Sequence, residues 1–136
     1  MNTRESFDGP AQTAQDVINR YAVGERVFID LDLTCKIPDF SGASLAGAIF
    51  DRSDLLDANF AGADLKNASF KQCCLKLADF RNADLRGACF EQASLEATRF
   101  EGALYSGNEF IGAYCYSNII KPGDGFPDYP DNGGVS

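Results

Sequence analysis

The chain contains no histidine, and without it no Ser-His-Asp or Cys-His arrangement for nucleophilic catalysis can be assembled. No Gly-rich phosphate-binding motif occurs either. Five cysteines are present, Cys35, Cys73, Cys74, Cys89 and Cys115, but no CxxC; an odd count of this kind suits buried or half-buried free thiols. A metal or redox role for adjacent Cys73 and Cys74 lacks a second ligand pair at a familiar spacing, so neither a metal nor a cofactor is expected, and the chain is read as non-enzymatic. Charged residues interrupt every apolar run well before the roughly 18 residues of a membrane span. The opening MNTRESFDGPAQT lacks the basic-then-apolar order of a signal peptide, which leads to the expectation of a cytoplasmic protein. A positive field is missing too. Twelve Lys and Arg stand against 20 Asp and Glu, a formal net charge of -8, which argues against direct binding to nucleic acid or an anionic bilayer.

What the chain has in abundance is a period of five. From Phe40 the positions Phe40, Leu45, Phe50, Leu55 and onward to Phe110 and Cys115 number sixteen, of which fourteen are Phe or Leu. Two residues before each of these centres, eleven of sixteen are Ala, from Ala43 to Ala113, and Pro38, Ser53, Cys73, Thr98 and Asn108 fill the rest. Neither the 3.6-residue period of a helix nor the 2-residue period of a strand produces that spacing. Two columns held in phase over such a length are an internal repeat. Side chains two apart on a short extended segment point the same way, so centre and small residue can both face inward if the chain turns once in every five. Glycine two after the centre, as at Gly42, Gly62 and Gly87, suits a corner of positive φ.

On these residues the chain resembles the pentapeptide-repeat family, whose units follow a pattern like A(D/N)LxX. The resemblance implies an all-β solenoid, a right-handed quadrilateral β-helix with four pentapeptides per coil. Residues twenty apart would then stack, with Phe on Phe and Leu on Leu, around a filled core that leaves no lumen. The solvent positions after the centres run Lys66, Lys71, Lys76, Arg81, Arg86, then Glu91, Glu96, Glu101. Stacking at twenty predicts ion pairs of Asp51 with Lys71, Lys71 with Glu91, Lys76 with Glu96 and Arg81 with Glu101, and leaves Lys66 and Arg86 one above the other. The girdle of Lys66, Lys71, Lys76, Arg81 and Arg86 is the candidate surface for a partner, with the Lys66 and Arg86 side as its sharpest part. Asp64 and Asp84 stack as well, but on a convex wall without a cleft they read as solvated structural residues.

The ends depart from the repeat. Residues 1–12 are read as a flexible start and 13–24 as a short capping α-helix: Thr13 is the N-cap, Asp16 holds the reciprocal capping position, Val17, Ile18 and Tyr21 form an apolar stripe, and Gly24 terminates it. The repeat is assigned to 25–117, regular from about 38, with two extra residues around Lys36 to Pro38. Residues 118–136 form an acidic Pro/Gly-rich tail. Tyr105, Ile111, Tyr114, Tyr116, Ile119 and Ile120 place bulky apolar groups off the pattern at the carboxyl end, which either the tail or a second chain must cover; a homodimer through this end stays open.

Two functions follow. One is a structural or protein-binding scaffold with another protein as partner. The other comes from the resemblance: some family members mimic the shape and charge of duplex DNA and bind DNA gyrase.

Overall fold

The computed structural model describes residues 9–34, 37–115 and 118–119. The expectations for residues 1–8, for the loop at Lys36, for Tyr116 and Ile120, and for the tail beyond them lie outside the described residues.

The chain winds as a β-helix. Parallel single-residue bridges join positions twenty apart, as in Asp39 with Asn59, Ser44 with Asp64, Ile49 with Ser69 and Asp54 with Cys74, four to a coil. Each side is one short extended step: the Phe40 amide donates to the Asn59 carbonyl (2.7 Å) and the Asp64 amide to the Ala43 carbonyl (2.9 Å). Each corner is a β-turn, closed by bonds such as Ala43 amide to Phe40 carbonyl (3.0 Å), with positive φ at its third residue as a type II turn demands. Glycine holds only some of these corners. Asp57, Asn67, Gln72, Leu77, Asn82, Gln92 and Ala97 occupy others at φ between 58 and 64°. At Gly87 and Gly102 the absence of a side chain has a second use, since a Cβ there would run into Asn67 Oδ1 or Asn82 Oδ1 of the coil below.

Inside, the centres form four stacks. Phe40, Phe60, Phe80 and Phe100 lie nearly parallel, with centroids 4.8, 5.0 and 5.4 Å apart. Phe50, Phe70, Phe90 and Phe110 form the opposite stack and meet the first edge to face, as between Phe80 and Phe90 at 5.6 Å and 89°. Both geometries are ones that ring quadrupoles favour. The leucines from Leu45 to Leu95 are fully buried between them. Where Ala gives way to a polar residue at the inner small position, the side chain finds a carbonyl: Ser53 Oγ donates to Phe28, Cys73 Sγ to Phe50 and Thr98 Oγ1 to Leu75. A buried polar group without such a partner is costly.

The first coil carries the two extra residues. Val27 bridges Ile49 and Asp32 bridges Asp54, an offset of 22, whereas the offset is 20 from Asp39 onward. Ser53 repairs the disturbed ladder by accepting from the Leu31 amide at 3.0 Å. Over this coil lies α1 (Ala14–Ala22). Thr13 Oγ1 caps it by accepting from the Asp16 amide (3.0 Å); Asp16 in turn accepts from the Gln12 amide (2.9 Å), one residue earlier than a standard capping box would have it. The helix ends in a Schellman motif, with Glu25 bonded back to Arg20 and Gly24 to Tyr21. Val17 is completely buried, and the Tyr21 hydroxyl donates to the Ala46 carbonyl at 2.6 Å, which pins the lid to the side centred on Leu45.

At the other end the register breaks. The chain makes a single 3-10 turn at Asn108–Phe110 instead of an extended step. Asn108, expected at an inner small position, is exposed there. The Gly87 amide, whose counterparts Gly47 and Asn67 bond to a carbonyl one coil up, is met by the Glu109 carboxylate. β1 (Tyr114–Cys115) then pairs antiparallel with β2 (Asn118–Ile119), so that the chain's own reversal covers part of the last rung.

Candidate functional site

A filled interior confines recognition to the outer residues: the two that flank each centre and the one at each corner. On the side centred on Leu65 and Leu85 the flanking positions are Asp64 with Lys66, and Asp84 with Arg86. Each Asp accepts from the backbone amide two residues on, an Asx-type turn, and that bond aims its carboxylate at the cation at the same position. Lys66 Nζ lies 3.0 Å from Asp64 and 3.5 Å from Asp84, and Arg86 Nη2 lies 2.7 Å from Asp84. Hydrogen bonding from Arg86 is the largest cause of the strongly lowered pKa of the Asp84 carboxyl; its own burial opposes the shift, and the charges of Arg86 and Lys66 reinforce it. The same construction recurs on the side centred on Phe80, where Asp79 binds Arg81 at 2.7 Å.

This corrects the charge reading made from the sequence. The four rung-to-rung pairs, Asp51 with Lys71, Lys71 with Glu91, Lys76 with Glu96 and Arg81 with Glu101, are not among the ion pairs of the described residues. Arg81 turns to the Asp of its own pentapeptide because that carboxylate is already oriented by the backbone. For the same reason Lys66 and Arg86 are not left unpaired, although no acidic residue stacks on them at twenty. Across rungs, Lys66 reaches Asp84 at 3.5 Å, and at a corner Arg52 pairs with Asp30 at 2.8 Å. Lys71 and Lys76 are exposed and make no ion pair with a described residue.

The residues proposed for the carboxyl end are dispersed. Tyr105 is half-buried in the column of leucines, its ring 5.2 Å edge-on from Phe110, and burial raises its pKa, with the charge of Glu109 adding to the shift. Ile111 and Tyr114 are half-buried; Ile119 on β2 is 50% exposed. Sequence reasoning missed Glu109, which is only 4% exposed and receives the amides of Ser106, Gly107 and Gly87 at 2.8 to 3.0 Å. Its signal was a carboxylate in a column otherwise made of Ile49, Ser69 and Cys89.

Among the cysteines, burial pushes the Cys73 thiol up to about 12, so at pH 8 it is protonated and enclosed. Alkylation of the native protein at that pH is expected to modify half-exposed Cys74 and Cys89 while sparing Cys73, and mass mapping of the labelled peptides checks this. Among the described residues no three Cys, Asp or Glu side chains converge as a metal site, and no helix is long and apolar enough to cross a membrane.

Leu77 is the anomaly of the surface. It sits at a corner with φ of 64° and is 54% exposed. A left-handed conformation disfavours side chains other than Gly, Asn and Asp, and an exposed leucine recovers little by burial. Leu77→Asn is therefore expected to raise the unfolding free energy by about 0.5 to 1 kcal/mol in a denaturant titration.

Comparison with known proteins fits this geometry. The family model for the Pentapeptide repeat region matches residues 39–112. A pentapeptide repeat protein from Nostoc Pcc 7120 is 26% identical over 85% of this chain and 91% of its own, with a TM-score of 0.70. A trypsin-treated variant of QnrB1, a plasmid-mediated fluoroquinolone resistance protein, is 33% identical over 67% of this chain; the match spans 42% of QnrB1, with a TM-score of 0.48. A pentapeptide repeat protein of the Arabidopsis thaliana thylakoid lumen is 35% identical over 62% of this chain and 60% of its own, with a TM-score of 0.35. No curated protein matches.

Proposed function

Because the chain belongs to the pentapeptide-repeat family, whose members are structural and binding proteins rather than enzymes, we propose that it is a rigid cytoplasmic scaffold that binds another protein. In this reading it is a right-handed quadrilateral β-helix with a capping helix, and its partner meets the outer wall without nucleic acid or membrane. The observation that carries the reading is the charge of successive coils around a closed core. Residues 68–87 set Lys71, Lys76, Arg81 and Arg86 against Asp79 and Asp84. Below them, residues 48–67 set Asp51, Asp54, Asp57 and Asp64 against Arg52 and Lys66; above them, residues 88–107 set Glu91, Glu96 and Glu101 against Arg99. A basic band thus lies between two acidic ones. Lys71 and Lys76, on adjacent sides, have no carboxylate of their own to satisfy and suit an acidic segment of a partner protein. Lys66, Arg81 and Arg86 extend the band but are already paired.

The test is capture from native lysate on the immobilised full chain, with the retained protein identified and then titrated against wild type and a Lys71→Glu, Lys76→Glu variant. Loss of binding by at least tenfold is expected, and equal binding would remove this surface. A second reading, modulation of DNA gyrase by mimicry of duplex DNA, draws on the net charge of -8 and the acidic coils on either side of the band. Inhibition of supercoiling at micromolar protein would favour it; no effect there, with gyrase absent from the eluate, would remove it.

A further inference from the structure

One side of the coil carries a shallow groove of about 600 Å³ lined by Leu77, Asp79 and Arg81 of one coil and by Ala97, Arg99 and Glu101 of the next, with Asp57 of the coil below at its lower edge. Within one chain Arg99 and Glu101 act on Asp79 and Arg81 through their charge alone, and three features of this wall stand out. Leu77 is exposed in a conformation that disfavours it. Arg99 is exposed and makes no ion pair with a described residue, although Glu101 stands two positions on, where Asp79 and Arg81 do pair. Glu101 Oε1 is inaccessible and has no hydrogen-bond partner among the described residues.

The two rows are in register, since Asp79 bridges Arg99, the Leu77 amide donates to Glu96 and the Asn82 amide to Glu101. Read across the wall, the lower row is apolar, acidic, basic, and the upper row is apolar, basic, acidic. A two-fold axis lying in the wall, perpendicular to the coil axis and between the two rows, exchanges them. It sets Leu77 of one copy on Ala97 of another, Asp79 on Arg99 and Arg81 on Glu101, and each contact occurs twice because such an interface is isologous. Every one of the six positions then meets its complement. A two-fold along the coil axis would instead carry the Leu77 corner onto the Asn82 corner, with no apolar match.

We propose that this wall is the docking surface for a second, antiparallel copy of the chain. Its occupant follows from charge complementarity. An acidic partner would meet Asp79 and Glu101, a basic one Arg81 and Arg99, whereas the chain itself presents each sign opposite the other. Arg99 gains a carboxylate, Glu101 gains a second guanidinium opposite its carboxylate, and Leu77 is covered. One flat side of a short coil buries less than the roughly 1,000 Å² of a stable specific interface, so the association belongs to the weak, transient class.

Sedimentation equilibrium of the full chain, from about 10 μM to 1 mM at roughly 0.15 M salt, is expected to show the mass rising from 14.7 kDa toward twice that value. Arg99→Glu places carboxylates opposite Asp79 twice, and Asp79→Arg places guanidinium groups opposite Arg99 twice. Each alone should weaken association at least tenfold. Mixed in equal amounts they should recover it, because the heterodimer restores both opposite-sign contacts. Leu77→Asn, which suits the corner, should weaken association without loss of the fold as judged by circular dichroism. A wild type that stays monomeric throughout overturns the proposal, as does a mixture of the two charge variants that stays monomeric. So do variants that dimerise like wild type, which would place the contact elsewhere, for example at the end near Ile119.

Discussion

Phe80→Ala is expected to lower the unfolding free energy by about 3 to 5 kcal/mol, through lost transfer energy and a cavity that the coil cannot collapse around. The ring is fully buried, stacked 5.0 Å above Phe60 and 5.4 Å below Phe100, and edge-on to Phe70 and Phe90 at 5.8 and 5.6 Å. Relaxation is limited because the backbone around it is tied on both edges, with the Phe80 amide bonded to the Arg99 carbonyl and the Asp79 amide to the Ala58 carbonyl. Moving the wall inward would break that ladder. Reversible urea unfolding checks the figure, and a loss within about 1 kcal/mol of zero would contradict a core built of stacked rings.

Glu109→Ala should follow at roughly 2 to 4 kcal/mol, since it strands the amides of Gly87, Ser106 and Gly107 where the ladder has no carbonyl to offer. A loss below about 1 kcal/mol would mean that water serves those amides as well as the carboxylate does. The pH dependence separates the charge from the shape. Burial pushes the Glu109 carboxyl up, but the amides of Ser106, Gly87 and Gly107 outweigh it and the net shift is downward from 4.5. A carboxyl whose pKa is lower folded than unfolded adds stability above the unfolded value and loses it as the pH falls through the folded one. The stability difference between wild type and Glu109→Gln should therefore be greatest near neutrality and shrink as the pH drops below about 4.5. A difference that stays constant down to pH 3 would assign the role to shape alone.

The interior was legible because it obeys one rule that propagates. A centre such as Phe60 faces inward when its pentapeptide turns at Gly62, and the next centre then has no other choice, so the period of five sets the stacks of Phe and Leu from Phe40 to Leu95. Even the interruption could be read: the two extra residues before Phe40 reappear as the offset of 22 between Val27 and Ile49. The corner was half legible, since glycine marks some left-handed positions while Leu77 and Ala97 adopt the same φ with nothing in their identity to announce it.

The outer charges were misread because stacking at twenty is a statement about Cα positions, and an ion pair is decided by where a side chain is already held. Asp79 is held by the Arg81 amide and takes the Arg81 guanidinium with it, and no period predicts that capture. Glu109 is the same lesson at the end of the coil. Its carboxylate turns inward because a 3-10 turn removed the carbonyl that Gly87 needed. The sequence by itself determined which residues fill the coil, since burial repeats with the chain. Only the tertiary structure decided the pairing of its surface, because hydrogen bonds are settled among neighbours that the winding brings together and the repeat does not choose.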